Sequence, residues 1–220
     1  MKKVLIIGAD GNVGSAALEY FKNAKWKVAA HHKSSKSNLT EKISVYGDLT
    51  DPIERIKIIE EAWKKMDGLD AVLYAASLFK KMKFGSVTEK DFDVALSVDL
   101  KAAFFMIQEV GLKMKKQGSG SIVIMSDASV DSPYSKYIPY FIAKSGVNTI
   151  VKAAAKFLRP EVKINAIAPY IVTRPEGIDD KTWSELQKKA PQGRATRPDE
   201  VAKLIFETVN SKRAGEIIPC

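Results

Sequence analysis

The chain holds a single cysteine, Cys220, in 220 residues, which excludes an intrachain disulfide and a cysteine-rich metal site. Histidine is nearly as scarce. His31 and His32 are adjacent, without HxxxH or HExxH spacing, so no metal site is expected. Long apolar runs are missing as well. The stretch 4–7 is typical, far below the roughly 18 residues that a membrane span needs. Met1-Lys2-Lys3 and the four apolar residues after it are too short for a secretory leader and lack a small-residue cleavage site. The expectation is a cytoplasmic protein with no membrane partner. The net charge of +9 would suit a polyanion. However, the lysines are interleaved with Glu and Asp, as on a solvated face, and no nucleic-acid-binding motif accompanies them. Nucleic acid is therefore not expected as a partner.

No repeat, linker or low-complexity segment divides the chain, so residues 1–220 are expected to form one domain. A chain of this size can bury about 70% of its unfolded surface. Short apolar, β-branched runs at 2–7, 26–30, 43–46, 71–75, 121–125, 163–168 and 216–218 predict seven strands. Helical spacing predicts helices at 12–24, 52–66, 88–97, 100–117, 137–158, 179–189 and 198–209. Asp51-Pro52 is a helix start: Asp caps free amides, and Pro at the first helical position has no amide to leave unpaired. Strands alternating with helices predict an α/β fold, a Rossmann-type doubly wound parallel sheet with helices on both faces.

Two motifs carry chemistry. Gly8-Ala9-Asp10-Gly11-Asn12-Val13-Gly14 falls where the first strand meets the first helix. Glycines there permit a tight turn and let backbone amides approach a pyrophosphate. Tyr140-Phe141-Ile142-Ala143-Lys144 puts a phenol and an ammonium one helical turn apart. Alone that spacing is common on surfaces. In a dinucleotide-binding chain it places a cation where it could favour the phenolate. The second strand ends in Ala30-His31-His32-Lys33-Ser34-Ser35, with no acid before Glu41. An NAD enzyme usually has Asp or Glu here for the ribose 2′-hydroxyl. A cation and hydroxyls suit a 2′-phosphate, so His32, Lys33 and Ser34 favour NADP(H) over NAD(H).

With these motifs in order, the chain resembles the short-chain dehydrogenase/reductase family over essentially its whole length. Gly47-Asp48-Leu49, Lys163-Ile164-Asn165-Ala166-Ile167-Ala168-Pro169, Pro191-Gln192-Gly193-Arg194 and Arg197-Pro198-Asp199-Glu200-Val201-Ala202 add to the likeness. The resemblance implies hydride transfer between a nicotinamide and a carbonyl, alcohol or imine. Tyr140 would give or take the proton, and Lys144 would hold the nicotinamide ribose. Asp48 and Leu49 would lie near the adenine, and Ala75, Ala76, Pro169 and Val172 would also touch the cofactor.

Departures point to a branch. Thirteen residues before Tyr140, where the family carries a serine, stands Asp127, flanked by Ser126 and Ser129. Together with Ala75-Ala76-Ser77-Leu78-Phe79, this resembles the pteridine reductases, whose aromatic residue stacks on the pterin. Whether Asp127 faces Tyr140, or Ser126 or Ser129 does while Asp127 points to solvent, stays open from sequence. The glycine spacing is closer to dihydropteridine reductase than to the family's common G-x-x-x-G-x-G. Asp99 replaces an Asn of the family's proton relay, Tyr74-Ala75 replaces Asn-Asn, and Tyr170 replaces a glycine. The sequence ends at Cys220, ahead of the family's usual extension, which would leave the pocket or a subunit contact more open.

Residues 175–192 are acidic in their first half and contain Trp183. The resemblance makes them a substrate lid. With Ser77, Phe79, Tyr134 and Tyr137, Trp183 could build a flat aromatic slot; each aromatic could equally be core. The expected substrate is a small molecule, a pteridine-like compound or else a simple ketone or 3-oxoacyl thioester. A non-catalytic NADP(H) sensor is the rival of another class. Helices 100–117 and 137–158 are those through which family members pair, so a homodimer or homotetramer is expected.

Overall fold

Seven short apolar runs become seven strands of one parallel sheet. The computed structural model describes residues 1–34, 43–175 and 177–220. Strands β1 (Lys3–Ile7), β2 (Lys27–His32), β3 (Ser44–Tyr46), β4 (Ala71–Tyr74), β5 (Gly120–Met125), β6 (Val162–Ala168) and β7 (Ile217–Pro219) lie in the order β3-β2-β1-β4-β5-β6-β7. Every pairing is parallel. The chain runs outward from β1 to β3, then returns past β1 to β4. A crevice opens at such a reversal, outside the carboxyl ends of the strands. This is the predicted doubly wound α/β fold.

The helices are α1 (Asn12–Asn23), α2 (Pro52–Met66), α3 (Glu89–Leu96), α4 (Ala103–Gln117), α5 (Ile138–Leu158), α6 (Asp180–Lys189) and α7 (Pro198–Asn210). Strand alternation divides the core between them. Leu5 and Ile7 of β1 face α2, α4 and α5, where Ile58, Met106 and Val147 are fully or almost fully buried. Val4 and Ile6 face α1 and α7, packing with Phe21 and Ile205. Each such side chain contributes on the order of 1.5–3 kcal/mol through burial. Asp51 caps α2 by accepting from the amides of Ile53 and Glu54, with Pro52 beside it. Among the described residues, no helix is long and apolar enough to cross a membrane.

Two boundaries differ from expectation near the crevice. Strand β2 continues through His31 and His32, because Ile7 pairs with His31 and Tyr46 with His32. The helices expected at 88–97 and 100–117 are not separated. A π-helical stretch, Ser97–Ala102, joins α3 to α4 and buries Asp99 in its wide turn.

Candidate active site

A cavity of about 910 Å³ follows the carboxyl ends of the strands from Gly8 to Tyr140 and on to Leu186. That is at the upper end of the ~300–1,000 Å³ usual for ligand pockets. Its first wall is the glycine turn. Gly8 has φ +80°, and a methyl there would stand 2.7 Å from the Ala76 backbone. A methyl on Gly14 would stand 2.1 Å from the Gly8 carbonyl oxygen. Only glycine lets strand, turn and helix close so tightly. Gly11 precedes α1 without a capping side chain, and the first helical turn has no acid. The helix amides are thus left to a ligand, a ready site for an anion.

Gly8, Asp10, Gly11, Asn12 and Val13 line the cavity, while Gly14 lies behind the turn. His31, not His32, faces it. The Gly8 amide donates to His31 Nδ1 at 3.3 Å, so Nε2 donates to the Gly47 carbonyl at 3.0 Å. Burial lowers the His31 pKa, consistent with a neutral ring that ties the glycine turn to the end of β3. The His32 side chain is wholly buried, with Nδ1 2.8 Å from Asp10 Oδ1 and Nε2 without a partner among the described residues. Lys33 lines the cavity and pairs with Asp48 at 3.0 Å. Hydrogen bonds from Thr50, together with Lys33, hold the Asp48 carboxyl at about 2. Ser34 is exposed and off the cavity wall. Ser35 and Glu41 of this stretch, and Glu176 of the expected lid, lie outside the described residues. Leu49, Ala75, Ala76, Pro169 and Val172 all line the cavity.

At the other end the sequence-predicted pair meets. Tyr140 and Lys144 are both buried in α5, and the Lys144 ammonium lies 5.4 Å from the centre of the Tyr140 ring. The Tyr140 hydroxyl donates to Asp127 Oδ2 at 2.9 Å, and the Ser129 amide donates to Asp127 Oδ1 at 2.7 Å. Asp127 therefore faces the tyrosine. Ser126 lines the cavity, but its hydroxyl is bonded to Asn148 Oδ1 at 2.6 Å, away from the phenol. Lys144 donates to the Met125 carbonyl at 3.0 Å and pairs with buried Asp99 at 3.2 Å.

The lysine alone would favour a phenolate, yet the balance runs the other way. Burial, then the Asp127 and Asp99 carboxylates, push the Tyr140 phenol well above 10. Burial also pushes the Asp127 carboxyl up, against the pull of its Ser129 and Tyr140 hydrogen bonds and the Lys144 charge. Burial and two acids keep the proton on the phenol, beside one ammonium. Such a cluster suits proton delivery.

The aromatic wall is real but partly closed. Phe79 stacks on Tyr137 at 4.2 Å with an interplanar angle of 4°, and meets the Tyr140 ring edge at 4.8 Å. Ser77 and Tyr134 also line the cavity. Trp183 does not. Thr182 and Leu186, four apart on one face of α6, line it instead, with Pro175, Gly177 and Asp179. Sequence reasoning held these only as part of the lid at 175–192, and His31 only as part of the stretch after Ala30; it passed over two rim cations, Lys81 and Lys136. The i, i+4 spacing of Thr182 and Leu186 was the available signal.

Residues 13–210 match a family model described as enoyl-(acyl carrier protein) reductase. The chain belongs to the short-chain dehydrogenase/reductase family. This family binds NAD(H) or NADP(H), and the bare glycine turn, uncapped helix and long cavity fit such a group. A 3-oxoacyl-(acyl-carrier-protein) reductase of Thermotoga maritima is 29% identical over 93% of this chain and 89% of its own length. An acetoacetyl-CoA reductase of Synechocystis is 26% identical, covering 99% of this chain and 93% of the relative. A probable galactose dehydrogenase of Rhizobium meliloti is 29% identical, covering 77% and 71%. The short-chain dehydrogenase/reductase relatives thus act on chemically varied carbonyls and alcohols, so shared fold does not select a substrate.

Proposed function

We propose that this protein is an NADP(H)-dependent reductase that protonates and reduces a carbonyl or imine in a planar small molecule. A dihydropterin is the first substrate to test. The observation that carries the reading is the meeting of Tyr140 and Lys144 on the wall of the same cavity that begins at the glycine turn. A bound nicotinamide dinucleotide supplies the hydride. Tyr140 turns its proton from Asp127 to the substrate oxygen or nitrogen, and the phenolate is reprotonated from water through Asp127, which lies 2.9 Å away. Lys144 has three N–H donors. Two are engaged by Met125 and Asp99, and the remaining one holds the nicotinamide ribose. Phe79 and Tyr137 offer a flat face to the substrate, and residues 175–192 serve as a lid that excludes water.

Lys33 supports the choice of NADP(H). Its side chain is 78% exposed, and a surface pair such as Lys33–Asp48 is worth only ~0–1 kcal/mol, so a doubly charged phosphate displaces Asp48 readily. The residues 1–220 act as one domain. Exposed Phe104, Phe105 and Leu112 on α4, and Ile142 and Phe157 on α5, support association into a homodimer or homotetramer, which sedimentation would measure.

The relatives named for 3-oxoacyl and acetoacetyl thioesters favour a second reading, reduction of a 3-oxo group. NADPH and NADH oxidation against dihydropterins, quinones, ketones and 3-oxoacyl thioesters separates the two. Turnover of a planar ring compound, with NADPH preferred, is expected. Turnover of thioesters alone selects the second reading. Tight dinucleotide binding with no turnover of any would make the chain a sensor and end the enzymatic account.

A further inference from the structure

Among the described residues, Lys144 sets its ammonium against the Tyr140 ring, and that ammonium is already matched by an acid. Its partner Asp99 is 0% exposed and Lys144 3% exposed, so the 3.2 Å pair is shut away from water. The carboxylate is held at three points. Ser77 Oγ donates to Oδ1, the Leu78 amide donates to Oδ2 at 2.7 Å, and Lys144 supplies the third contact. The wide π-helical turn brings Asp99 inward to reach both Ser77, after β4, and Lys144, on α5. Stretches of this kind occur often at functional sites.

An opposite charge near a phenol favours the phenolate, and a like charge disfavours it. An ammonium bonded to a carboxylate presents a dipole where it would have presented a charge. We propose that Asp99 is a positioning residue that fixes the Lys144 ammonium against the Met125 carbonyl and withholds its charge from Tyr140, setting the site to deliver a proton rather than remove one. The inference rests on the reading of Tyr140 as proton donor and adds the favoured direction, reduction.

The groups facing the phenol are consistent with this. Asp127, beyond β5, accepts from it directly. Phe79 and Tyr137 cover it with neutral rings, Phe79 edge-on to it and stacked on Tyr137. Tyr74 lies behind Asp99, gives its hydroxyl to the Val98 carbonyl at 2.7 Å, and is held protonated chiefly by burial. Arg55, whose charge reaches Tyr74, is tied to the Leu49 carbonyl at 2.7 Å.

The test is an NMR titration of cofactor-free protein labelled with tyrosine carrying carbon-13 at Cζ, with Tyr140 assigned by Tyr140→Phe. Asp99→Asn keeps the shape and an acceptor for Ser77 while removing the charge. The Tyr140 signal is expected to titrate at least about one pH unit lower in Asp99→Asn than in wild type. The pH profile of alcohol oxidation should move down with it, while neutral-pH reduction slows. Equal midpoints in the two folded proteins would overturn the proposal, as would a fall in both directions of turnover without a pH shift. Should Asp99→Asn not fold, wild type alone decides: a Tyr140 midpoint below about 9, under the free phenol's ~10, refutes it. The titration needs no substrate, so its outcome is separate from whether any tested compound is turned over.

Discussion

A methyl group on either of two glycines separates the part of the turn that builds the fold from the part that meets the ligand. In Gly14→Ala the new carbon stands 2.1 Å from the Gly8 carbonyl oxygen, 2.9 Å from its carbon and 3.0 Å from Ala9 Cα. A relaxed contact needs ~3.5 Å, so turn and helix must part by roughly 1.4 Å. All three neighbours are backbone, and no side chain can swing aside. Overpacking of this kind costs ~1–3 kcal/mol, and the stiff surroundings put Gly14 near the upper end. Alanine recovers ~0.5–1 kcal/mol of helix propensity, leaving a net loss of roughly 2–2.5 kcal/mol. At ~2–4 °C per kcal/mol for a chain of this length, Tm should fall by about 4–10 °C. Gly11→Ala differs. Its methyl would meet only the Gly8 carbonyl oxygen, at an ordinary 3.5 Å. Stability should change by under ~1 kcal/mol, the cost of alanine at a helix cap. That methyl sits on the cavity wall, where it would hold a pyrophosphate off the amides. NADPH affinity should drop at least about tenfold, or ~1.4 kcal/mol. Urea unfolding followed by tryptophan fluorescence, with NADPH titrations on the same samples, reads both quantities. A Gly14→Ala protein with the wild-type urea midpoint would refute the tight closure. Unchanged NADPH binding by Gly11→Ala would refute the placing of the dinucleotide at this turn.

Three further outcomes are expected. Asp127 has a native pKa raised above 3.8, so its contribution to stability is complete below pH 3.8 and is lost as pH climbs through the raised value. Urea midpoints should accordingly show wild type losing ground to Asp127→Asn between pH 4 and pH 8, and a flat or opposite trend would contradict the burial argument. Burial lifts the Cys220 thiol from 9.0 to about 11, so at pH 8 its reaction with a disulfide reagent should be roughly 10-fold slower in the native protein than in urea, the lower thiolate fraction being partly offset by a more nucleophilic thiolate; equal rates would deny the burial. Lys33→Ala should cut the preference for NADPH over NADH at least about threefold in kcat/KM, measured with whichever substrate is turned over, and an unchanged ratio would remove Lys33 from the phosphate site.

The sheet was legible because apolar runs bounded by Gly, Asp and Pro can form little else, and the Tyr140–Lys144 pair because helical spacing fixes its face. Asp127 was legible as a residue but not as a direction: nothing in the order Ser126-Asp127-Ala128-Ser129 says which side chain reaches a phenol thirteen residues on. The structure resolves this through Asn148, which draws the Ser126 hydroxyl away. His31 and His32 read as loop because they are polar. Their strand character comes from pairing on both sides, to Ile7 and to Tyr46, which lies outside any local window. The Asp99–Lys144 contact spans 45 positions and was invisible for the same reason, although an acid between Val98 and Leu100 in an apolar stretch hinted at a buried partner. Trp183 was chosen for its size, while the face of α6 turned to the cavity is set by Thr182 and Leu186.

The wide turn at Ser97–Ala102 also constrains how this chain can change length. An ordinary helical turn holds 3.6 residues, so each residue advances the winding by about 100°. Deleting one residue from the stretch would tighten it to regular pitch and swing α3 about the axis of α4 by that angle. Either Asp99 would leave its lysine or α3 would leave α5. Insertions and deletions should therefore be better tolerated in the surface loop before Thr88 than in this short stretch, whose irregular winding is the mechanical link between the helical layer and the proton-bearing end of the crevice.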